Sequence, residues 1–244
     1  MANENKSVTL ISAPFILSWP ELLKPKAFTP PGSTQPKGEP EFSHEAISTK
    51  ESLAEWHILD RETGDFSLGN VEARLVKLAR EKWGADYDVK GQVASGDLVW
   101  PFKSGDKKAE KARGKGDFYR EKKVWRSHAK PEINGRPNAP ALYEANGDGE
   151  LITIPRSTEE GRRRIEELFY AGAMCTAEVN AVAMLAPSGK NTITLYLNSI
   201  VFEQHGPKLG GGSNMERLRG VAGGKSSVDP TAGMSENLED ELPD

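Results

Sequence analysis

Cysteine is almost absent from the sequence. The one copy, Cys175, excludes an intramolecular disulfide and any zinc site built on cysteine pairs. Histidine is nearly as scarce: His44, His57, His128 and His205 are scattered and lack metal-ligand spacing. No apolar run approaches the ~18 residues of a membrane-crossing helix, so no membrane partner is expected. The apolar stretch 8–19 has no basic start and no small-residue cleavage site, so it reads as a strand and not a secretion signal. A reducing cytoplasm is the expected home. Catalytic signals are missing too. Carboxylates are plentiful, but no spacing singles out a pair for metal or acid–base work. Gly210-Gly-Gly-Ser lacks the Lys-Ser/Thr that completes a phosphate loop. No cofactor, metal ligand or catalytic residue is assigned, and a non-enzymatic role is expected.

Glycine and proline, in contrast, are abundant: 24 and 16 of 244 residues. That load is poorly tolerated by helices and points to a mainly β fold. Strands are expected over 8–17, 42–49 and 122–129, with 56–59 extending or pairing with the second. Pro20, Pro25, Pro30 and Pro31 mark a loop after the first. Asn70 is placed to cap a helix over 71–83, ended by Gly84, and Thr158 opens a second short helix with Ile165, Leu168 and Phe169 on one face. Asn146-Gly-Asp-Gly predicts a turn between 141–144 and 151–154. The clearest pattern is 173–185, where Ala173, Cys175, Ala177, Val179, Ala181, Ala183 and Leu185 recur at every second position. Such small side chains suit the tight interior of a small barrel, with Cys175 as inert core. Ile193, Leu195 and Leu197 continue the alternation, but Ile200 and Phe202 fall on the other parity, which predicts a bulge near Asn198–Ser199.

Charge is unevenly spread. The net charge is −4, yet Glu236, Glu239, Asp240, Glu241 and Asp244 crowd the last nine residues; without them the chain carries +1. Residues 103–130 hold eleven Lys or Arg against four acids. Residues 207–244 are glycine-rich and poor in large apolar side chains, so they read as a flexible linker and acidic tail behind a folded domain of residues 1–206. Leu238 and Leu242 are candidate apolar anchors of that tail.

The basic segment interleaves aromatics. Trp100, Phe102, Phe118, Tyr119 and Trp125 sit among Lys103, Lys107, Lys108, Lys111, Arg113, Lys115, Arg120, Lys122, Lys123, Arg126 and Lys130. Cations neutralise successive phosphates, and aromatic faces stack unpaired bases. The bland alternative is a solvated charge run beside core aromatics, with Trp100 and Phe102 best suited to the core. Arg162, Arg163 and Arg164 form a second cluster, but the glutamates around them point to ion pairing along a helix.

Several pieces resemble the tailed-phage single-stranded DNA-binding protein family, once filed under unknown function. They are Leu22-Leu-Lys-Pro-Lys-Ala-Phe28 and Gly38-Glu-Pro-Glu-Phe-Ser43, which look like the family's first two strands, then Val76-Lys-Leu-Ala-Arg80 and Trp100-Pro-Phe-Lys-Ser-Gly-Asp106. The best pair runs from Tyr170-Ala-Gly to Asn180 and from Leu197 through His205-Gly-Pro to Gly211. The resemblance covers about residues 8–212, and its order and spacing carry it. It departs at the strand after Tyr170-Ala-Gly, where Thr176 and Glu178 stand in place of basic or aromatic residues, and at the insert 48–65. It implies an OB-fold, five-stranded barrel that binds single-stranded DNA without strong sequence preference in phage replication or recombination. The acidic tail would meet replication or recombination proteins, in the host cytoplasm; self-association stays open. A strand-annealing protein, a metal-dependent nuclease and a protein-only adaptor are the alternatives.

Overall fold

The computed structural model describes residues 5–29, 33–111 and 116–209. The chain opens with β1 (Lys6–Ile11), β2 (Phe15–Leu17), β3 (Glu21–Phe28) and the long β4 (Lys37–Ser48). A hairpin, β5 (Trp56–Leu59) and β6 (Phe66–Gly69), leads into helix α1 (Val71–Trp83) and the shorter α2 (Val89–Ser95). Then come β7 (Leu98–Val99), β8 (Phe102–Ser104), one turn of helix α3 (Asp106–Ala109), and β9 (Lys123–Ala129). Two small hairpins follow, β10 (Glu132–Ile133) with β11 (Arg136–Pro137), and β12 (Ala141–Ala145) with β13 (Leu151–Thr153). Helix α4 (Glu159–Leu168) precedes the two longest strands, β14 (Met174–Leu185) and β15 (Asn191–Gln204).

Five strand units close a barrel. β2 pairs antiparallel with β4, and β4 with β9 from Phe42 opposite Ala129 to Ser48 opposite Lys123. β9 meets β15 in parallel at His128 and Tyr196. β15 pairs antiparallel with β14, which returns to β1 and β2. With β1 and β2 counted as one broken strand, this is the mainly β, OB-type five-stranded barrel that the sequence implied.

The alternation in β14 is the wall of that barrel. Cys175, Ala177, Val179, Ala181 and Ala183 are all fully buried. Burial raises the Cys175 thiol well above the usual range, in keeping with inert core. Glu178 lies opposite Ser199 and Val179 opposite Leu197, so Asn198 is the extra residue of a bulge, at the expected place. The caps are also as read. The Asn70 side chain accepts from the Ala73 N–H at 2.9 Å, and Thr158 Oγ1 accepts from the Gly161 N–H at 3.0 Å. Gly161 is needed there because a Cβ would fall 1.8 Å from the Pro155 carbonyl oxygen.

The two best-matched sequence pieces turn out to be one structural unit. Tyr170 Oη donates to the Gly206 carbonyl at 2.7 Å, and the Leu209 N–H donates to the Ala171 carbonyl at 2.7 Å. The strap after β15 thereby crosses the Tyr170–Gly172 turn, where a Cβ on Gly172 would fall 2.0 Å from the Pro207 carbonyl oxygen.

Three readings need correction. The proline-marked stretch is not all loop: Glu21–Phe28 forms β3. It is an edge strand paired to β4 alone, with register breaks, and such an edge tolerates Pro25 because no neighbour requires its missing N–H. The first strand is interrupted: Ser12, Ala13 and Pro14 separate β1 from β2, and at Ser12 it is the side-chain oxygen that accepts the Ala177 N–H, at 3.0 Å. Helix α2 was not foreseen; it buries only Val89, so it carries almost no apolar periodicity.

Candidate nucleic-acid interface

Alternation along β4 and β9 sends one set of side chains into the barrel and the other outward. Inward, Phe15, His44 and Trp125 pack as a cluster. The Phe15 and His44 rings stack at 5.2 Å, and Trp125 stands edge-on to Phe15 at 4.9 Å. Trp56 and Phe102 extend it. The Trp125 indole N–H donates to Ser48 Oγ at 2.9 Å. Burial pushes His44 down to about pKa 3, so its imidazole is neutral in the folded protein.

Outward, the register aligns Ser43 and Glu45 of β4 with His128 and Arg126 of β9. Tyr196 of β15 stands beside His128 at 5.0 Å, edge to face. Partial burial, the largest effect, lowers the His128 pKa, and Glu41 opposes it. Two depressions of about 370 Å³ each flank this surface and have Glu45 and Arg126 in common; together they make up the trough of this face. One side carries Trp19, Lys26 and Phe28; the other carries Trp100, Lys103 and His128. Trp19 is 70% exposed and Phe28 57%, unusual for large apolar side chains.

The expected site residues fall into groups. Lys103 and Arg126 line the trough, Trp100 lines it half-buried, and Lys130 is exposed just past the end of β9. Lys108 reaches the same surface through an ion pair with Glu45, and its ammonium lies 5.0 Å over the Tyr119 ring. Lys107, Lys111 and Arg120 are exposed, and Arg120 pairs with Asp117 at 3.6 Å. Lys122 is half-buried, while Lys123 ties β9 to α1 through Glu72 at 3.1 Å. Phe102, Tyr119 and Trp125 are interior, at 5%, 8% and 1% exposure, so their faces are closed to a base in this conformation. Tyr119 Oη also shares a hydrogen bond with Ser18 Oγ at 2.9 Å. Arg113, Lys115 and the tail residues Glu236, Leu238, Glu239, Asp240, Glu241, Leu242 and Asp244 lie outside the described residues.

The barrel has solved counterparts. It resembles the single-stranded DNA-binding protein from bacteriophage Enc34 in complex with ssDNA. Identity is 15% and the TM-score 0.52, covering 83% of this chain and 89% of that one. A C-terminal truncation of the same protein matches at 15% identity and TM-score 0.50, covering 82% and 88%. The bacteriophage T7 single-stranded DNA-binding protein gp2.5 matches at 12% identity and TM-score 0.47, covering 88% and 94%. No protein-family model and no curated protein matches the sequence. At such identity the shared property is the fold, and it is the fold implied by the sequence resemblance.

Sequence reasoning missed Trp19, Lys26, Phe28, His128 and Tyr196 as members of this surface. Tyr196 had a signal: it shares the polar parity of Thr192, Thr194 and Asn198 on its strand. Trp19 ends the apolar stretch read as a strand and Phe28 sits in the proline-marked stretch, and the pairing of β3 with β4 brings both to the trough. In the second arginine cluster Arg164 pairs along its helix with Glu167 at 2.9 Å, as expected, and also with Glu144 of β12, its Nε donating to Oε1 at 3.1 Å and its Nη2 to Oε2 at 2.5 Å, while Arg162 donates to the Arg156 and Ser157 carbonyls. Among the described residues, no group of three or more His, Cys, Asp or Glu is arranged to hold a metal ion. None of their helices is long and apolar enough to cross a membrane.

Proposed function

We propose that this chain binds single-stranded DNA without strong sequence preference, along the outer surface of β4 and β9. The observation that carries the reading is the trough itself: exposed Trp19 and Phe28, half-buried Trp100, and Arg126, Lys103 and Lys26 line its two depressions, with half-buried Tyr196 beside His128. In OB barrels the second and third strands form the face that binds oligonucleotides, and β4 and β9 hold those places here. Aromatic faces take bases of any identity, and the cations track the phosphates. The ssDNA held by the Enc34 protein of similar fold supports the same ligand class.

A role in phage DNA replication or recombination fits this binding. The acidic tail would compete with DNA for the cations and, once displaced, recruit a basic partner. Leu209, the last described residue, packs against the Ile47, Tyr119 and Val124 cluster, so the chain leaves the barrel close to the basic segment.

Labelled single strands incubated with the protein and Mg²⁺ test the reading. A shifted, intact strand is expected, weakening steeply as salt rises. A degraded strand would support a nuclease, and no shift at low salt would defeat single-strand binding altogether.

A further inference from the structure

Glutamates are the unexpected part of the β4 face, two of them, Glu21 and Glu45, lining the trough itself. Glu39, Glu41 and Glu45 share one parity on β4, and Glu39 and Glu45 are each held by a lysine from another element. Glu39 binds Lys130 at 2.9 Å, Glu41 faces His128 at 3.9 Å, and Glu45 binds Lys108. Glu21, opposite Ser43 on β3, holds Lys26 at 2.6 Å. Among the described residues Arg126 and Lys103, in the same trough, have no carboxylate within 4 Å. The hydrogen bond between Lys130 and Glu39 raises the pKa of the ammonium and lowers that of the carboxyl, so the pair is favoured in its charged form.

Such exposed pairs add little to folding stability. Their position gives them another consequence. We propose that Glu21, Glu39 and Glu45 are resident counter-anions of the single-strand face, so that DNA binding there exchanges carboxylate for phosphate. The proposal rests on the single-strand reading above. A free lysine that meets a phosphate releases a condensed counterion from the DNA. A lysine taken from a glutamate releases the same ion, but the abandoned carboxylate gathers a cation from solution, and the net release nearly cancels. The salt dependence of binding then counts mainly the unpaired cations, such as Arg126 and Lys103, and not every basic residue on the face. Affinity is held down at the paired positions. A ligand must add base stacking to bind well, and the strand stays exchangeable.

The experiment measures affinity for labelled oligothymidine across a salt series, using the full chain. Glu39→Gln and Glu45→Gln, singly and together, are compared with wild type. Glu62→Gln, on the turn of the β5–β6 hairpin away from the face, controls for net charge. Each face variant is expected to tighten binding at low salt by about fivefold. It should also steepen the slope of log affinity against log salt by about 0.7 for each cation freed. Glu62→Gln is expected to change neither, and thermal melting checks that all variants fold. Face variants that keep the wild-type slope while wild type binds would overturn the exchange and leave single-strand binding standing. Equal steepening in Glu62→Gln would overturn it also, by assigning the effect to net charge. If wild type fails to bind at any salt, the single-strand reading falls and this proposal with it.

Discussion

Phe15, Trp56, Phe102 and Trp125 meet inside the barrel, whereas Trp19 and Phe28 stand on its outside with Tyr196 half-buried between strands. The two sets are close in sequence and in chemistry. What separates them is strand parity and edge position. Trp125 and Arg126 are neighbours in the chain, yet one is 1% exposed and the other stands out in solvent. Aromatic residues inside a basic segment are therefore poor guides to stacking, because on a strand every second residue belongs to the core.

The strongest way to break this comparison is to truncate one member of each set. Trp125→Ala is expected to cost about 3–5 kcal/mol of stability in a denaturant melt. Trp19→Ala should leave the midpoint nearly unchanged, since its side chain buries little. Equal midpoints for the two variants would erase the distinction between inside and outside.

The next effect is a pH dependence of the interior set. His44 has a folded pKa of about 3 against an ordinary 6.5. The unfolded chain takes up a proton that the folded chain refuses, so its contribution is fully present above pH 6.5 and is lost as pH falls toward 3. The loss is on the order of 4 kcal/mol across that window. Stability measured against pH should show a shallower fall in His44→Gln than in wild type; parallel curves would refute the assignment.

Outside the barrel the expected losses are in binding. Trp19→Ala and Phe28→Ala should each weaken single-strand affinity by about 1–3 kcal/mol while leaving the salt slope unchanged. Undiminished affinity in both would remove the stacking role from β3 and the strand end beside it. A smaller effect separates Tyr119 from these two. Tyr119→Phe loses the hydrogen bond to Ser18 and should cost about 1 kcal/mol of stability, with affinity retained. Smallest is Lys103→Ala, which should lower the salt slope by about 0.7 with no change in melting temperature. An unaltered slope would place Lys103 outside the phosphate path.

Some of this was legible in the chain alone. The helix over 71–83, its Asn70 cap, the small-residue wall of β14 and the bulge at Asn198 were each local consequences of residue type and period. Such features depend on neighbours a few positions away, so a linear reading reaches them. The barrel was legible only with the added weight of a family resemblance. The basic segment was also visible as a charge excess, and several of its cations do reach the trough.

The remainder needed tertiary structure. Whether an aromatic residue stacks bases or fills the core depends on which face its strand turns inward, and β9 turns Trp125 in and Arg126 out. Whether a lysine is available depends on a carboxylate from another strand, as Glu45 and Glu39 show for Lys108 and Lys130. Trp19 and Phe28 became part of a surface only when an edge strand carrying a proline paired with β4. Local propensity and composition were written in the sequence; the composition of the face was decided by pairing between distant segments, whose register no local window contains.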